Sequence, residues 1–151
     1  MLDQTITVVF TNSHKLLAPA INMVTWSKYS HCALVRGDRI IHSTWGAGGV
    51  HETSLAALLA VSKNFTFKTY SVNNADAIYE AAASQVGKPY DKTALFGLPF
   101  HRDWQENDAW FCSELLAWAF NEGGTPLFDI EAIHRITPGD IYKLHPTRIP
   151  C

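Results

Sequence analysis

The chain has 151 residues, the length of one average domain and enough to bury a single hydrophobic core. Its residues are 47% hydrophobic and 17% charged, a balance that excludes an intrinsically disordered chain. The formal net charge is only -2 and no run of basic residues occurs, so nucleic acid is excluded as an expected partner.

Alternating strands and short helices are predicted along the chain. β-branched, alternating residues indicate strands, and a Ser or Thr before an apolar run indicates a capped helix. The predicted elements are a strand over 5–10, a helix over 18–26, a glycine-rich loop over 45–49, a short helix capped by Thr53 or Ser54, a strand over 65–72, a helix over 74–83, a helix from about Trp110 to Glu122, and a tail of turns from 137 onward.

A β-hairpin is predicted where residues 31–35 and 39–43 flank the pair Gly37-Asp38. A glycine followed by a polar residue suits a two-residue turn between antiparallel strands. In this register Val35 lies opposite Ile40.

The same register places His31 and His42 on one face of the hairpin as diagonal neighbours, close enough for one ring to orient the other. Alternation along the strand turns Cys32 to the opposite face, away from both imidazoles. Cys32 is therefore a poor candidate for a nucleophile. Taken alone, each histidine is better explained as a hydrogen-bonded residue of a strand, and their shared face is what favours a catalytic pair.

Cys112 lies at or near the start of the second-half helix, on its apolar stripe. Unpaired amides and the dipole at a helix start stabilise a thiolate, although a buried core cysteine is the simpler alternative. A thiolate, a histidine that transfers the proton and a polar group that holds this histidine are the parts of a cysteine hydrolase. The chain offers them as Cys112, His31 and His42.

Three segments resemble the signature segments of the permuted papain-like hydrolases of the NlpC superfamily, in the YiiX/YaeF-like branch. They are residues 30–35 (SHCALV), 87–91 (GKPYD) and 111–116 (FCSELL), and they occur in the order of that family, with the histidine strand before the cysteine helix. The resemblance implies an α+β fold, with a papain-like, circularly permuted antiparallel sheet packed against helices. It also implies that residues 1–151 form a single hydrolase domain.

The resemblance further implies roles for individual residues. Cys112 is expected to be the nucleophile, His31 the general base and then general acid, and His42 the group that orients His31. The hydroxyl of Tyr90 is expected to join the backbone amide of Cys112 in an oxyanion hole. YiiX-like members often have a carboxylate where His42 stands, and a second histidine is similar to the lecithin retinol acyltransferase-like branch. The Asn-Cys-Glu-His-Phe motif of that branch is absent here.

The activity that the resemblance implies is attack on an amide or ester carbonyl to form an acyl-enzyme that water resolves, with no metal or organic cofactor. A bacterial or phage amidase or peptidase acting on cell-wall (peptidoglycan) peptides is the leading expectation. Two alternatives stay open. One is a lipid acyl hydrolase or acyltransferase that receives an acyl chain at the broken apolar loop 94–100, and the other is a non-catalytic binding or structural module.

The histidines and acidic residues of the chain raise the question of a metal site. His42, His51 and Glu52 are possible metal ligands, but no element carries a His-x-x-x-His or Cys-x-x-Cys spacing.

The three cysteines, which include Cys32 and Cys151, are too few for a disulfide framework and favour a reducing compartment. No transmembrane segment or signal peptide is recognisable, so we expect a cytoplasmic protein or one delivered without such a signal.

Overall fold

The computed structural model describes residues 4–13, 28–91, 109–129, 131, 133 and 136–144. The predicted helix over 18–26, the apolar loop 94–100 and Cys151 lie outside these residues. The described elements are β1 (Gln4–Ser13), β2 (His31–Arg36), β3 (Arg39–Thr44), β4 (Gly49–Ser54), α1 (Leu55–Ala60), β5 (Ser62–Val72), α2 (Ala75–Ser84), α3 (Cys112–Glu122) and α4 (Pro138–Lys143).

The five strands form one antiparallel sheet in the order β4-β3-β2-β1-β5. Helix α3 packs against β2 and β3 on one face of this sheet, and α2 packs against α3. The predicted α+β architecture, an antiparallel sheet with helices packed on it, is confirmed. Within the described part of the chain, no helix has both the length and the apolar character needed to cross a membrane.

Alternation along β2 separates two hydrophobic cores. Cys32 and Leu34 belong to the larger core, on the face that α3 covers. Ala33 belongs to a smaller core on the other face, with Ile40 of β3 and Leu58 of α1. The first residues of β2 therefore present side chains to both faces at the end of the sheet.

The predicted hairpin is confirmed. Arg36 pairs with Arg39 across a two-residue turn, Val35 pairs with Ile40, and Gly37 has a φ of 61°. The register pairs of β2 with β3 run only from Leu34 to Arg36, whereas those with β1 run from His31 to Val35. The first residues of β2 therefore pair with β1 along one edge. Along the opposite edge they have no register partner on β3 and face α3.

Strand β4 corrects the prediction of a loop that reaches Gly49. Every residue of β4 pairs with β3, from Arg39–Ser54 at one end to Thr44–Gly49 at the other. The guanidinium of Arg39 also contacts the Glu52 carboxylate at 2.9 Å. Glycines and polar residues give this segment little strand propensity of its own, so its pairing with β3 decides its conformation.

Helix α4 corrects the prediction that the tail consists mostly of turns. Thr137 caps this helix: its hydroxyl accepts the Asp140 N–H at 3.2 Å, and the Asp140 carboxylate accepts the Thr137 N–H at 2.9 Å. Pro138 occupies the first helical position, where its missing N–H costs nothing. A Thr-Pro-Gly-Asp run that resembles a turn is therefore a helix start with a capping box.

A close backbone approach at Gly49 attaches the segment that ends at Tyr90 to the start of β4. The Val50 N–H donates to the Lys88 carbonyl at 2.9 Å, and the Tyr90 N–H donates to the Gly48 carbonyl at 3.0 Å. Gly49 has a φ of 155°, and a Cβ added there would overlap the Lys88 carbonyl oxygen. Only glycine fits here, and the contact determines where the Tyr90 backbone lies.

We expect Gly49→Ala to lower the free energy of unfolding by roughly 1–3 kcal/mol, the usual cost of forcing extra atoms into a packed site. Gly48→Ala is the matched control, because Gly48 also has a positive φ, of 79°, but has no atom within 4 Å of an added Cβ. Urea unfolding followed by far-UV circular dichroism measures both. An equal loss of stability in the two variants would contradict the close approach.

Candidate active site

Helix α3 begins at Cys112, two residues later than predicted, with Phe111 as its extended N-cap residue. The Glu114 carboxyl accepts the Phe111 N–H at 3.2 Å, and the Leu115 N–H donates to the Phe111 carbonyl at 3.0 Å. Cys112 therefore occupies the first turn, where backbone N–H groups have no partner within the helix and the dipole favours a negative charge. Its side chain is buried, with 1% exposed.

The Cys112 sulfur lies against the first two residues of β2. Burial opposes ionisation of this thiol, but hydrogen bonds from the Cys32 thiol and backbone N–H, together with the charge and hydrogen bond of His31, hold the pKa of Cys112 well below its ordinary range. Burial and the neighbouring Cys112 raise the pKa of Cys32. Cys32 therefore stays a thiol and donates to the Cys112 sulfur.

Three histidine rings follow one another outward from this sulfur. His31 Nε2 lies 2.8 Å from His42 Nδ1, so the predicted meeting of these two rings on one face of the hairpin is confirmed. His42 Nε2 lies 2.9 Å from Nε2 of His51, which sits directly opposite it on β4. His51 Nδ1 lies 3.1 Å from the Gly49 carbonyl oxygen. Because Nε2 of His31 faces His42, Nδ1 is the ring nitrogen left to meet Cys112.

His42 is the most buried ring of the three, with 4% of its surface exposed. Burial, then the charges of His31 and His51, lower the pKa of His42 to about 2. The ring is therefore neutral at physiological pH and accepts or donates hydrogen bonds without carrying charge.

Tyr90 lies near Cys112 and its ring is buried. It contacts the Phe111 ring at 5.9 Å and the Trp45 ring at 6.1 Å, and its backbone bridges to Trp110 just before α3. Burial, then the charges of Cys112 and Glu114, raise the pKa of Tyr90 well above its ordinary value. Its hydroxyl therefore keeps its proton and is available as a hydrogen-bond donor.

Glu114 is a buried carboxyl two residues beyond Cys112. Burial raises the pKa of Glu114 to about 8; the hydrogen bond from Phe111 opposes this, and the charges of Asp91 and Cys112 add to it. At neutral pH the group is mostly a neutral acid, so it brings little negative charge to the thiolate beside it.

The sequence pointed to Cys112, His31, His42 and Tyr90, and the structure brings all four to one end of the sheet. It also adds Cys32 and His51. As predicted, alternation along β2 places Cys32 on the face opposite His42. Helix α3 covers that face, so Cys32 lies in the same core as Cys112. His51 was considered only as a metal ligand, and its position opposite His42 follows only once β4 is known.

Known proteins share sequence and fold features with this chain. Residues 5–140 match the peptidase family C92, described as the permuted papain-like amidase enzymes of YaeF and YiiX. The crystal structure of the metalloprotein YiiX from Escherichia coli O157:H7 has a similar fold, with a TM-score of 0.58 and 23% identity over 82% of this chain and 67% of the YiiX chain. No curated protein matches the sequence. The resemblance to the YiiX/YaeF-like permuted papain-like hydrolases is confirmed.

YiiX is a metalloprotein, and the corresponding question for this chain is whether its side chains form a metal site. No group of three His, Cys, Asp or Glu side chains among the described residues is arranged to hold a metal ion. The Nε2 atoms of His42 and His51 face each other, and Glu52 pairs with Arg39. The histidine, histidine and glutamate considered from the sequence therefore do not converge on a common point.

The Cys32 thiol is expected to keep the pKa of Cys112 low, since it donates a hydrogen bond to the thiolate. Replacing the donor in Cys32→Ala should raise the pH midpoint of Cys112 alkylation by iodoacetamide toward the ordinary thiol value of about 8.5. Cys32→Ser retains a donor and should leave the midpoint closer to that of the native protein. Peptide mapping by mass spectrometry assigns the label to each cysteine. Equal midpoints in the Ala and Ser variants would contradict this role.

Glu114→Gln is expected to change how stability depends on pH. The folded protein keeps the Glu114 proton up to a pH of about 8, whereas the unfolded chain releases it near its ordinary pKa of about 4.3. Between these values the folded state binds more protons, so this group lowers stability by about 1.4 kcal/mol for each unit that the pH rises. Glutamine has no proton to lose.

Urea unfolding of the native protein and Glu114→Gln at pH 5, 6, 7 and 8 measures this effect. The stability of the variant relative to the native protein should rise steadily across the series. A difference that does not change with pH would show that Glu114 is already ionised in the folded protein.

Proposed function

The chain belongs to the C92 family of permuted papain-like amidases, and on this premise we propose that it hydrolyses amide bonds with Cys112 as the nucleophile. The observation that carries the proposal is the contact of a low-pKa thiol in the first turn of α3 with His31, whose other ring nitrogen is held by His42. These are the nucleophile, the proton carrier and the orienting group of a cysteine hydrolase.

In the first half of the reaction the Cys112 thiolate attacks the carbonyl carbon of the substrate, and the proton of the thiol resides on His31 Nδ1. A carbon–sulfur bond forms and the carbonyl oxygen becomes an oxyanion. When the carbon–nitrogen bond breaks, His31 gives its proton to the departing amine. The acyl group remains on Cys112 as a thioester.

Two donors are suited to the oxyanion. The hydroxyl of Tyr90 keeps its proton because burial raises its pKa, and it lies near the Cys112 sulfur. The backbone N–H of Cys112 belongs to the first turn of α3, where such groups have no partner within the helix. Donors fixed in a buried site stabilise developing charge more than the same groups in water.

In the second half, neutral His31 takes a proton from water through Nδ1, and the resulting hydroxide attacks the thioester carbonyl. The carbon–sulfur bond breaks, the acid product leaves, and the thiolate is restored beside the protonated His31. His42 accepts the Nε2–H of His31 in both halves of the reaction, and its low pKa keeps it from taking the proton itself.

Peptide amides are the first substrates to test, and cell-wall peptides lead among them by analogy with cysteine amidases of this general type. A panel of peptide, cell-wall and lipid-ester substrates, each followed by intact-protein mass spectrometry, separates the possible activities. A peptide-derived adduct on Cys112 supports the amidase, a lipid acyl adduct supports an acyl hydrolase or acyltransferase, and an unreactive Cys112 thiol contradicts catalysis.

Cys112→Ala and His31→Ala are each expected to lower turnover by at least about 10³-fold, because each removes a member of a unit that acts together. Cys151→Ala is the matched cysteine control and should retain native turnover. Far-UV circular dichroism checks that each variant is folded. Substantial turnover by a folded Cys112→Ala protein would reject this nucleophile.

A further inference from the structure

The row of histidines that starts at the proposed active site ends on a group that can only accept a hydrogen bond. This group is the Gly49 carbonyl oxygen, 3.1 Å from His51 Nδ1. A carbonyl oxygen has no proton to give, so Nδ1 of His51 must carry the proton of this contact. In a neutral imidazole with a proton on Nδ1, Nε2 is an acceptor.

The position of each remaining proton follows from this end. Nε2 of His51 accepts, so the proton between the two rings 2.9 Å apart belongs to His42 Nε2. His42 Nδ1 is then an acceptor, and the proton of the 2.8 Å contact belongs to His31 Nε2. His31 is left with its lone pair on Nδ1, the nitrogen that remains for Cys112.

We propose that His51 is a positioning residue that, through His42, holds His31 in the tautomer with its proton on Nε2 and its base nitrogen, Nδ1, toward Cys112. The proposal rests on the proposed function, since a base is needed only if His31 moves a proton. The polar contacts of His51 are with His42 and the Gly49 carbonyl, and His51 acts by excluding one of two possible proton arrangements.

His42 alone does not select the tautomer. With its proton on Nδ1, His42 would donate to Nε2 of His31, and His31 would then carry its own proton on Nδ1. In that arrangement no lone pair faces Cys112, and neutral His31 is unable to take a proton from water. An acceptor at Nε2 of His42 excludes this arrangement, and His51 supplies that acceptor at 2.9 Å.

Strand pairing with β3 and the Gly49 carbonyl together hold the His51 ring in position. His51 pairs directly with His42 across β3 and β4, so their side chains share one face of the sheet. The ion pair between Arg39 and Glu52 at 2.9 Å fastens the same two strands one residue further along β4. Gly49 has no side chain, so its backbone packs against Lys88 while its carbonyl faces His51.

Nitrogen-15 NMR of the histidine rings tests the proton arrangement without any substrate. The full chain carrying Cys112→Ala is used at pH 8.5, because this variant has no Cys112 thiol whose proton could pass to His31. We expect protons on Nε2 of His31, Nε2 of His42 and Nδ1 of His51. A proton on Nδ1 of His31 as the main form would overturn the proposal. The proton positions that NMR reports do not depend on whether Cys112 is the nucleophile.

Two substitutions at His51 test its role with a matched change in hydrogen bonding. His51→Gln places an amide oxygen near the position of Nε2 and keeps the acceptor, whereas His51→Phe keeps a ring and removes it. In the Cys112→Ala background, His51→Phe should populate the Nδ1–H form of His31 and His51→Gln should not. An unchanged His31 tautomer in folded His51→Phe would overturn the proposal.

Burst kinetics with p-nitrophenyl acetate then separate this role from a general structural one. The first step uses a thiolate that is already formed, whereas removal of the acetyl group by water needs neutral His31 with its lone pair on Nδ1. His51→Phe should keep the nitrophenol burst but slow the following steady rate about 10- to 100-fold, the usual effect of removing a group that orients a functional histidine. His51→Gln should restore most of that rate.

An equal slowing of burst and steady rate in His51→Phe, or no slowing at all, would contradict tautomer control by His51. A native protein that gives no burst would contradict the proposed function instead, while the NMR result would still decide the proton arrangement. The two proposals therefore fail by different observations.

Discussion

The Cys112 sulfur meets the start of β2 at the point where this strand pairs with β1 alone, and the chemistry of the site depends on that contact. Burial by itself would keep the thiol protonated. The thiolate is favoured because Cys32 supplies two donors and His31 supplies a third. Cys112 also lies in the first turn of α3, where the helix dipole favours a negative charge. Moving α3 along the sheet would remove these partners together.

Burial has a second effect on the groups around this sulfur, because it keeps them neutral. His42 has a pKa of about 2, Glu114 has a pKa of about 8, and the pKa of Tyr90 is raised well above its ordinary value. A charge on any of them would compete with the interaction between Cys112 and His31. The neutral groups instead serve as hydrogen-bond donors and acceptors of fixed direction, which is the form in which buried polar groups are most useful.

Elements whose conformation depends on neighbouring residues were predictable from the sequence, whereas an element that depends on a distant strand was not. The hairpin of β2 and β3 and the Ser54 cap of α1 were predictable, since turn geometry and capping depend on residues next to one another. Strand β4 was not, because its conformation comes from pairing with β3 rather than from its own residues. Helix α4 carried a readable signal in Thr137 and Asp140, but the Pro-Gly pair between them is equally typical of a turn.

The sequence by itself determined that His31 and His42 share a face, and that Cys112 begins a helix that packs on a core. Alternation and helix periodicity are local properties, and the resemblance of three short segments supplied the family. Only the tertiary structure decided that Cys32 touches Cys112 and that His51 completes the row of histidines. These contacts depend on how a helix docks across a sheet and on which strand lies beside β3, and no short-range pattern encodes either.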